Sequence, residues 1–359
     1  MSYSFAAGPA RLPDTVLAQA RETLFSRGAD GAAPVERPFS APQFRAVLAQ
    51  AQSRLRALLG LPEGYRILFL AGGAMHQFAM VPANLATSGG TVAYADSGYW
   101  AQRAMAEAAR QCRVSVVARH AGPQALAAPD VQDWRLPPDC AYCHITPNET
   151  AEGIAYPGLP AVGDVPLVAD CTSCLLTAPL PITRFGLVYA GAQKNLGIAG
   201  LTVVIVQEAL LARSPASLAS VASYRLQAQA DSCVNTPPVA ALLVTALVLD
   251  WISAQGGLPA MADANQRKAA TLYQAIDASQ GFYRAPVAPG HRSPVNVRFG
   301  CANTALDTVF AAEAEDAGLH HLRGHPRIGG MRASLYNAMP QAGVDALVGF
   351  MAHFQRRYG

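Results

Sequence analysis

Seven short apolar runs, separated by turn residues and helical segments, constrain the fold of this 359-residue chain more than any other feature. They occupy residues 66–70, 91–95, 114–117, 140–145, 166–169, 187–190 and 202–206. Strands that alternate with helices are typical of an α/β layer with a mostly parallel sheet. We therefore predict an α/β fold whose large domain, 14–258, contains a mostly parallel seven-stranded sheet, with helices at 14–24, 44–59 and 239–254.

The remainder of the chain has a different pattern. Helical periodicity at 261–279, 305–318 and 341–356 alternates with apolar strands at 293–299 and 330–335. These elements predict a small C-terminal α+β domain, 259–359, and we expect residues 1–13 to pack with it. Ligands of a parallel sheet bind at the carboxyl ends of its strands, so functional residues should follow the seven apolar runs.

Composition excludes several classes of protein. Only 14% of the residues are charged and the net charge is +3, which gives no reason to expect nucleic-acid or membrane partners. The first residues lack the basic and apolar blocks of a signal peptide, and the longest apolar stretches, such as 239–251, are shorter than the roughly 20 residues that span a bilayer. A cytoplasmic location is expected.

The seven cysteines are an odd number in a long chain, which argues against a disulfide framework. Two CxxC pairs, Cys140/Cys143 and Cys171/Cys174, have the spacing of a zinc ribbon. However, 141–145 reads as a strand, and residues three apart on a strand face opposite sides. We predict small buried thiols and no metal site.

Two charged residues follow apolar strands. Lys194 stands between apolar flanks and among Gly and Ala residues, unlike a solvated surface lysine. An amine in such surroundings is nucleophilic toward an aldehyde, and the small neighbours leave room for a flat cofactor. Asp170 ends the strand 166–169, where its carboxylate needs a partner such as a protonated pyridine nitrogen. A helix cap is the alternative for Asp170.

Further candidates surround this pair. The Gly-rich turn at 71–77 precedes a helix, so the backbone of Ala74 and Met75 could hold a phosphate. Trp100 could stack on a ring or belong to the core. The Thr150 hydroxyl could reach the cofactor, and Asn235 with Thr236, fixed before two prolines, could contact an anion. Arg332, on a strand after Gly-Gly, suits a carboxylate better than it suits solvent.

Together these residues resemble the phosphoserine aminotransferase family of class-V, fold-type I pyridoxal-phosphate (PLP) transferases. The resemblance covers nearly the whole chain and is specific at 7–13, 95–100, 146–154, 189–197, 234–238 and 330–339. It implies a homodimer in which Lys194 carries PLP as an imine and Asp170 pairs with the ring nitrogen. It further implies ring contacts from Trp100 and Thr150, phosphate contacts from Ala74, Met75, Gln193 and, from the other subunit, Asn235 and Thr236, and a substrate α-carboxylate contact from Arg332.

The chain departs from the family where the substrate's distal group would bind. Phe39 and Ser40 stand where the family has a His-Arg pair, and Pro326 follows His325 where the family has a second arginine, with Arg327 shifted by one. A charge-assisted hydrogen bond contributes about 1.5–3 kcal/mol. Losing these cationic groups would therefore cost about 4 kcal/mol or more, or about a thousandfold in binding a phosphate dianion.

We therefore predict an aminotransferase acting on a small L-amino acid and a 2-oxo acid, with a donor that lacks a distal dianion. Authentic phosphoserine:2-oxoglutarate transamination in serine biosynthesis is the alternative, and Arg37, His76, Arg323 or Arg327 could support it. A PLP-dependent β-elimination or β-substitution enzyme would use the same residues. An idle binding protein is disfavoured, because Lys194, Asp170 and Arg332 are all present.

Overall fold

The computed structural model describes residues 2–119 and 126–359. In these ranges the strands are β1 Tyr3–Ser4, β2 Tyr65–Ala71, β3 Thr91–Asp96, β4 Arg113–Arg119, β5 Cys143–Ile145, β6 Asn148–Glu149, β7 Ile154–Ala155, β8 Leu167–Asp170, β9 Leu187–Gly191, β10 Leu201–Gln207, β11 Tyr283–Arg284, β12 Asn296–Cys301, β13 Leu319–His320 and β14 Met331–Ser334. The helices are α1 Asp14–Thr23, α2 Pro42–Leu59, α3 Ala74–Leu85, α4 Tyr99–Ala108, α5 Glu208–Leu211, α6 Tyr224–Gln229, α7 Val239–Ala254, α8 Gly257–Asp277, α9 Leu306–Asp316 and α10 Gln341–Tyr358.

All seven predicted strands lie in one sheet, in the order β2-β10-β9-β8-β5-β3-β4. The pairs from β9 to β4 are parallel, whereas β10 is antiparallel to both β2 and β9. Only residues 192–200 connect β9 to β10. That length is too short for the crossover that a parallel pair requires, so the chain reverses direction. The predicted α/β fold with a mostly parallel sheet is confirmed.

Helices cover both faces of this sheet, as its apolar strands require. Along β2, Ile67 and Phe69 belong to one core cluster, with residues of α1, α2 and α7. The alternating residues Leu68 and Leu70 belong to the other cluster, with residues of α3, α4 and α6. Because successive side chains on a strand point to opposite faces, β2 is buried on both sides.

A second unit follows α7. Its sheet β11-β12-β14 is antiparallel, and α8, α9 and α10 surround it. The N-terminal segment contributes to it, since β1 pairs with β13 and Phe5 is buried in the same cluster. Helix α8 begins at Gly257 rather than at the predicted residue 261, and its Leu258 and Met261 belong to the core of the large sheet. The boundary at residue 258 stays a prediction.

The sequence argument about the cysteines was partly wrong. Strand β5 begins only at Cys143, so strand alternation does not separate this residue from Cys140. Cys140 Sγ instead donates to the carbonyl oxygen of Tyr142 at 2.9 Å. Cys143 and Cys171 are buried, and burial raises the pKa of the Cys143 thiol to about 12. Within 2–119 and 126–359, no three His, Cys, Asp or Glu side chains are grouped to hold a metal ion.

No single helix in the described ranges is long and apolar enough to cross a membrane. Helices α7 and α8 meet the criteria of length and composition only as a pair, and they are bent by 83° where they meet.

Candidate active site at the carboxyl ends of the strands

A cavity of about 320 Å³ opens at the carboxyl edge of the large sheet. Segments that follow β2, β3, β5, β8 and β9 form its walls, which is the position expected for a ligand site in such a sheet. Its lining residues are Gly73, Ala74, Met75, His76, Trp100, Thr146, Asn148, Thr150, Asp170, Thr172, Ser173, Gln193 and Lys194. Seven of the predicted site residues therefore meet in one cavity.

Lys194 lies just beyond β9, and only 8% of it is exposed. Its Nζ donates a hydrogen bond to Thr150 Oγ1 at 2.6 Å and lies 5.9 Å from the centre of the Tyr336 ring. The N-terminal segment also contacts this side chain, because a Cβ placed on Gly8 would lie 3.5 Å from Lys194 Cγ. The amine is therefore buried, oriented and directed into the cavity.

The sequence contains one other lysine, Lys268. It is buried in the second unit, where its Nζ donates to the carbonyl oxygens of Leu335 and Tyr336 at 2.9 and 2.8 Å. Burial lowers the pKa of the Lys268 amine to about 7. Because the Lys268 amine is hydrogen-bonded to two carbonyl oxygens and lies outside the cavity lining, Lys194 is the lysine available to an aldehyde in the cavity.

Asp170 is the last residue of β8 and is buried. Its Oδ1 accepts hydrogen bonds from the backbone N–H of Thr172 at 3.0 Å and from the Thr172 hydroxyl at 2.5 Å. Burial raises the pKa of this carboxyl group. The hydrogen bonds from Thr172 and the charge of Lys194 act in the opposite direction and lower it by less. A cation in the cavity would stabilise the ionised carboxylate, which suits the protonated ring nitrogen of PLP.

The turn between β2 and α3 is a suitable phosphate site. Gly72 has a φ of +113°, and a Cβ on it would lie 2.5 Å from His76 Nδ1, so glycine is required there. Ala74 and Met75 open α3, where the first backbone N–H groups of a helix have no partner within it. Those groups and the helix dipole attract an anion. Together with Lys194 and Asp170, this turn makes a donor set that fits PLP.

Asn235 and Thr236, predicted as phosphate contacts from a second subunit, do not line the cavity of their own chain. Both are exposed in the segment before α7. Asn235 borders a neighbouring groove of about 710 Å³ together with Met75 and His76.

Trp100 lies in the first turn of α4 and lines the cavity. Two acidic residues that sequence analysis did not single out support this turn. Glu149 accepts hydrogen bonds from the backbone N–H groups of Trp100 and Ala101, at 3.0 and 2.9 Å, and Glu152 accepts one from Tyr99 at 2.8 Å. Burial, and secondarily the charge of Glu152, raises the pKa of Glu149 to about 8.

The predicted substrate residues lie outside the cavity lining. Arg332 is half-buried on β14, burial lowers its pKa, and its Nε has no hydrogen-bond partner in the described part of the chain. The His325 ring lies 4.3 Å from the Tyr99 ring, and burial, with the charges of Arg332 and Arg327, lowers its pKa. Neither residue lines the cavity, although Arg332 is close enough to Tyr336 and Glu152 for their charges to oppose the lowering of its pKa.

Phe39 and Ser40 do not line the cavity either. Phe39 packs against the core with the Arg45 guanidinium 6.0 Å from its ring, and Ser40 is exposed. Arg37, a residue that could have replaced the missing cationic pair, is bound by Asp30 through contacts of 2.5 and 2.9 Å.

The chain matches known proteins over its whole length. Residues 2–347 match the family model described as aminotransferase class-V. A phosphoserine aminotransferase of Acidithiobacillus ferrooxidans is 46% identical over 357 residues, which cover 99% of each chain. The solved phosphoserine aminotransferase of Bacillus circulans subsp. alkalophilus superimposes with a TM-score of 0.96 at 42% identity, covering 100% of this chain and 99% of that one. The PLP-bound phosphoserine aminotransferase from Trichomonas vaginalis superimposes with a TM-score of 0.91 at 34% identity, covering 98% of this chain and 100% of that one.

Proposed function

Because the chain belongs to the class-V aminotransferase family and is a PLP-dependent aminotransferase, we propose that Lys194 is its catalytic amine. The observation that carries this proposal is that Lys194 and Asp170 line the same cavity. When bound, PLP supplies an aldehyde that condenses with amines and a ring that accepts electron density.

We assign each residue a role in the transfer of an amino group between an amino acid and a 2-oxo acid. With PLP bound, the Lys194 amine would take the proton from the substrate's α-carbon onto Nζ and would then release it to the cofactor; the Thr150 hydroxyl, 2.6 Å from Nζ, orients that amine. Asp170 would keep the ring nitrogen of PLP protonated, and Trp100 would contact the ring. The N-terminus of α3 and Gln193 bind the phosphate, and Arg332 takes the substrate α-carboxylate.

For the substrate, we propose an amino donor without a distal phosphate. No arginine is among the described residues that line the cavity, and Phe39 and Ser40 cannot supply the charge-assisted hydrogen bonds of a His-Arg pair. A dianion that leaves water without such bonds loses several kcal/mol. A small donor with an uncharged or singly charged side chain avoids that cost.

Phosphoserine is the second candidate, and one observation besides the named relatives favours it. Two cationic side chains and one histidine surround the Tyr99 ring: the guanidinium carbons of Arg103 and Arg327 lie 6.0 and 5.7 Å from its centre, and the His325 ring lies 4.3 Å away. Arg103 also reaches Met75 Sδ, which borders the cavity, at 3.7 Å. This cluster could replace the missing cationic groups.

A donor and acceptor screen separates the two candidates. We expect at least one donor without a phosphate to be used with a kcat/KM about tenfold or more above that of phosphoserine with 2-oxoglutarate, a difference of about 1.4 kcal/mol. Phosphoserine turned over far faster than every other donor would contradict the proposal. In that case Arg327→Ala should lower phosphoserine activity by about tenfold, as expected for the loss of one charge-assisted contact.

We further propose a homodimer whose sites are shared, because Asn235 and Thr236 are exposed and away from the cavity of their own chain. Mixing Lys194→Ala chains with Asn235→Ala/Thr236→Ala chains should then regenerate intact sites in the mixed dimers. Random pairing would restore activity at about a quarter of all sites, measured at limiting cofactor. Activity that stays at the average of the two separate variants would show that each chain builds its site alone.

A further inference from the structure

The N-terminus of α4 is capped by side chains from a distant segment of the chain rather than by the residue that precedes the helix. The N-cap residue is Gly98, which has no side chain to accept from the helix, and no local side chain replaces it. Glu149, the last residue of β6, and Glu152, three residues later, instead accept hydrogen bonds from the backbone N–H groups of three successive residues, 99, 100 and 101. Donors at a helix start are usually satisfied one at a time by an N-cap side chain.

The fit between these carboxyl groups and the helix is close. A Cβ on Gly98 would lie 2.7 Å from the carboxyl carbon of Glu152 and 3.0 Å from that of Glu149. Gly98 also has a φ of +157°, which residues with a side chain rarely adopt. Glu149 is fully buried and also accepts a hydrogen bond from the Ser97 hydroxyl at 3.1 Å, so three donors hold its carboxyl group.

The same turn of chain contacts the catalytic amine. Thr150, between the two glutamates in sequence, accepts the hydrogen bond from Lys194 Nζ. Trp100, whose backbone Glu149 holds, lines the cavity with Lys194 and Asp170. Residues 149–152 therefore fix the position of the α4 N-terminus relative to the lysine.

We propose that Glu149 is a positioning residue that sets the Trp100 indole against the bound cofactor, an inference that rests on the proposed function. It acts through the backbone of α4, because its hydrogen bonds are to N–H groups and to Ser97 and none is to the indole. A buried carboxyl group that accepts three hydrogen bonds holds the helix start in one place, which an exposed N-cap side chain would not do as firmly.

Glu149→Gln tests this with little change in shape, since one carboxyl oxygen becomes an NH2 group that cannot accept the hydrogen bonds from α4 or Ser97. We expect the dissociation constant for PLP, measured by titrating the apoenzyme, to rise about tenfold. The cofactor-dependent quenching of Trp100 fluorescence, obtained by difference from Trp100→Phe, should fall by about half or more as the ring separation grows. The matched control is Glu208→Gln, an exposed glutamate in the first turn of α5 paired with Arg66, which should match the wild type.

A double-mutant cycle separates positioning from general destabilisation. If Glu149 acts through Trp100, adding Glu149→Gln to Trp100→Phe should change cofactor affinity by less than about twofold. Additive effects, or a Glu149→Gln protein with wild-type affinity and quenching, would overturn the proposal. Should Glu149→Gln fail to fold, Ser97→Ala removes one of the three donors and should weaken binding about threefold, again with reduced quenching. Unchanged quenching in Ser97→Ala would equally refute it.

The proposed function fails in a distinguishable way. A wild-type apoenzyme that neither binds PLP nor shows quenching would refute the assignment of the cavity itself. Normal PLP binding by the wild type, together with a Glu149→Gln variant whose PLP affinity and fluorescence quenching are unchanged, would refute only the positioning role.

Discussion

Lys194→Ala is expected to lower turnover by at least about a thousandfold while the folded protein still binds PLP. The loss is large because the variant removes both the amine that joins the cofactor and the base that moves the substrate's α-proton. Binding should persist, since the contacts proposed for the ring and phosphate come from other residues, such as Asp170, Trp100 and the N-terminus of α3. Single-turnover kinetics and cofactor titration measure the two quantities separately.

A small added amine provides the control for this variant. The space vacated by the Lys194 side chain has room for a molecule such as methylamine, which should restore part of the turnover in a concentration-dependent way. Restoration would assign the defect to the missing amine rather than to misfolding. Turnover of Lys194→Ala within about tenfold of the wild type would contradict the proposed role.

Asp170→Asn is expected to lower kcat by about a hundredfold or more. The amide has nearly the same shape, but it carries no charge to keep the ring nitrogen protonated. Removing one partner of a buried charged pair costs about 3–5 kcal/mol, and each 1.36 kcal/mol corresponds to about tenfold in rate. Steady-state kinetics at saturating PLP measures the effect without a contribution from weaker cofactor binding.

Asp250→Asn is the matched control for that substitution. Asp250 lies on α7 in an exposed ion pair with Arg54, so the same chemical change there should leave kcat within about twofold. A kcat for Asp170→Asn close to that of the control would mean that the ring nitrogen does not depend on the carboxylate.

The fold could be predicted from sequence to the extent that local patterns determine it. Each of the seven apolar runs is a strand of one sheet, and a continuous apolar run is the pattern expected of a strand buried on both faces, although the edge strand β4 is only partly buried. The direction of β10 could not be predicted in this way, since an apolar run looks the same in a parallel and an antiparallel strand. The short connection at 192–200 was the available indication.

The meeting of Asp170 and Lys194 in one cavity could also be predicted, because both lie at the ends of apolar strands and such positions converge at one edge of the sheet. The supporting residues could not. Glu149 ends the two-residue strand β6 and Glu152 lies in the turn that follows it, and only the three-dimensional structure shows them against α4. Contacts between residues distant in sequence leave no local pattern, as with Asn148 and Asn296, whose side chains bond at 2.8 Å.

The most direct measurement uses the two lysines of the chain. Borohydride reduction of the PLP-loaded protein would make the lysine–cofactor linkage permanent, and peptide mass spectrometry would then locate it. We predict that the label is found on Lys194 alone, with Lys268, bound to the Leu335 and Tyr336 carbonyl oxygens, unmodified. A label on Lys268, or tightly bound PLP with no labelled lysine, would contradict the account.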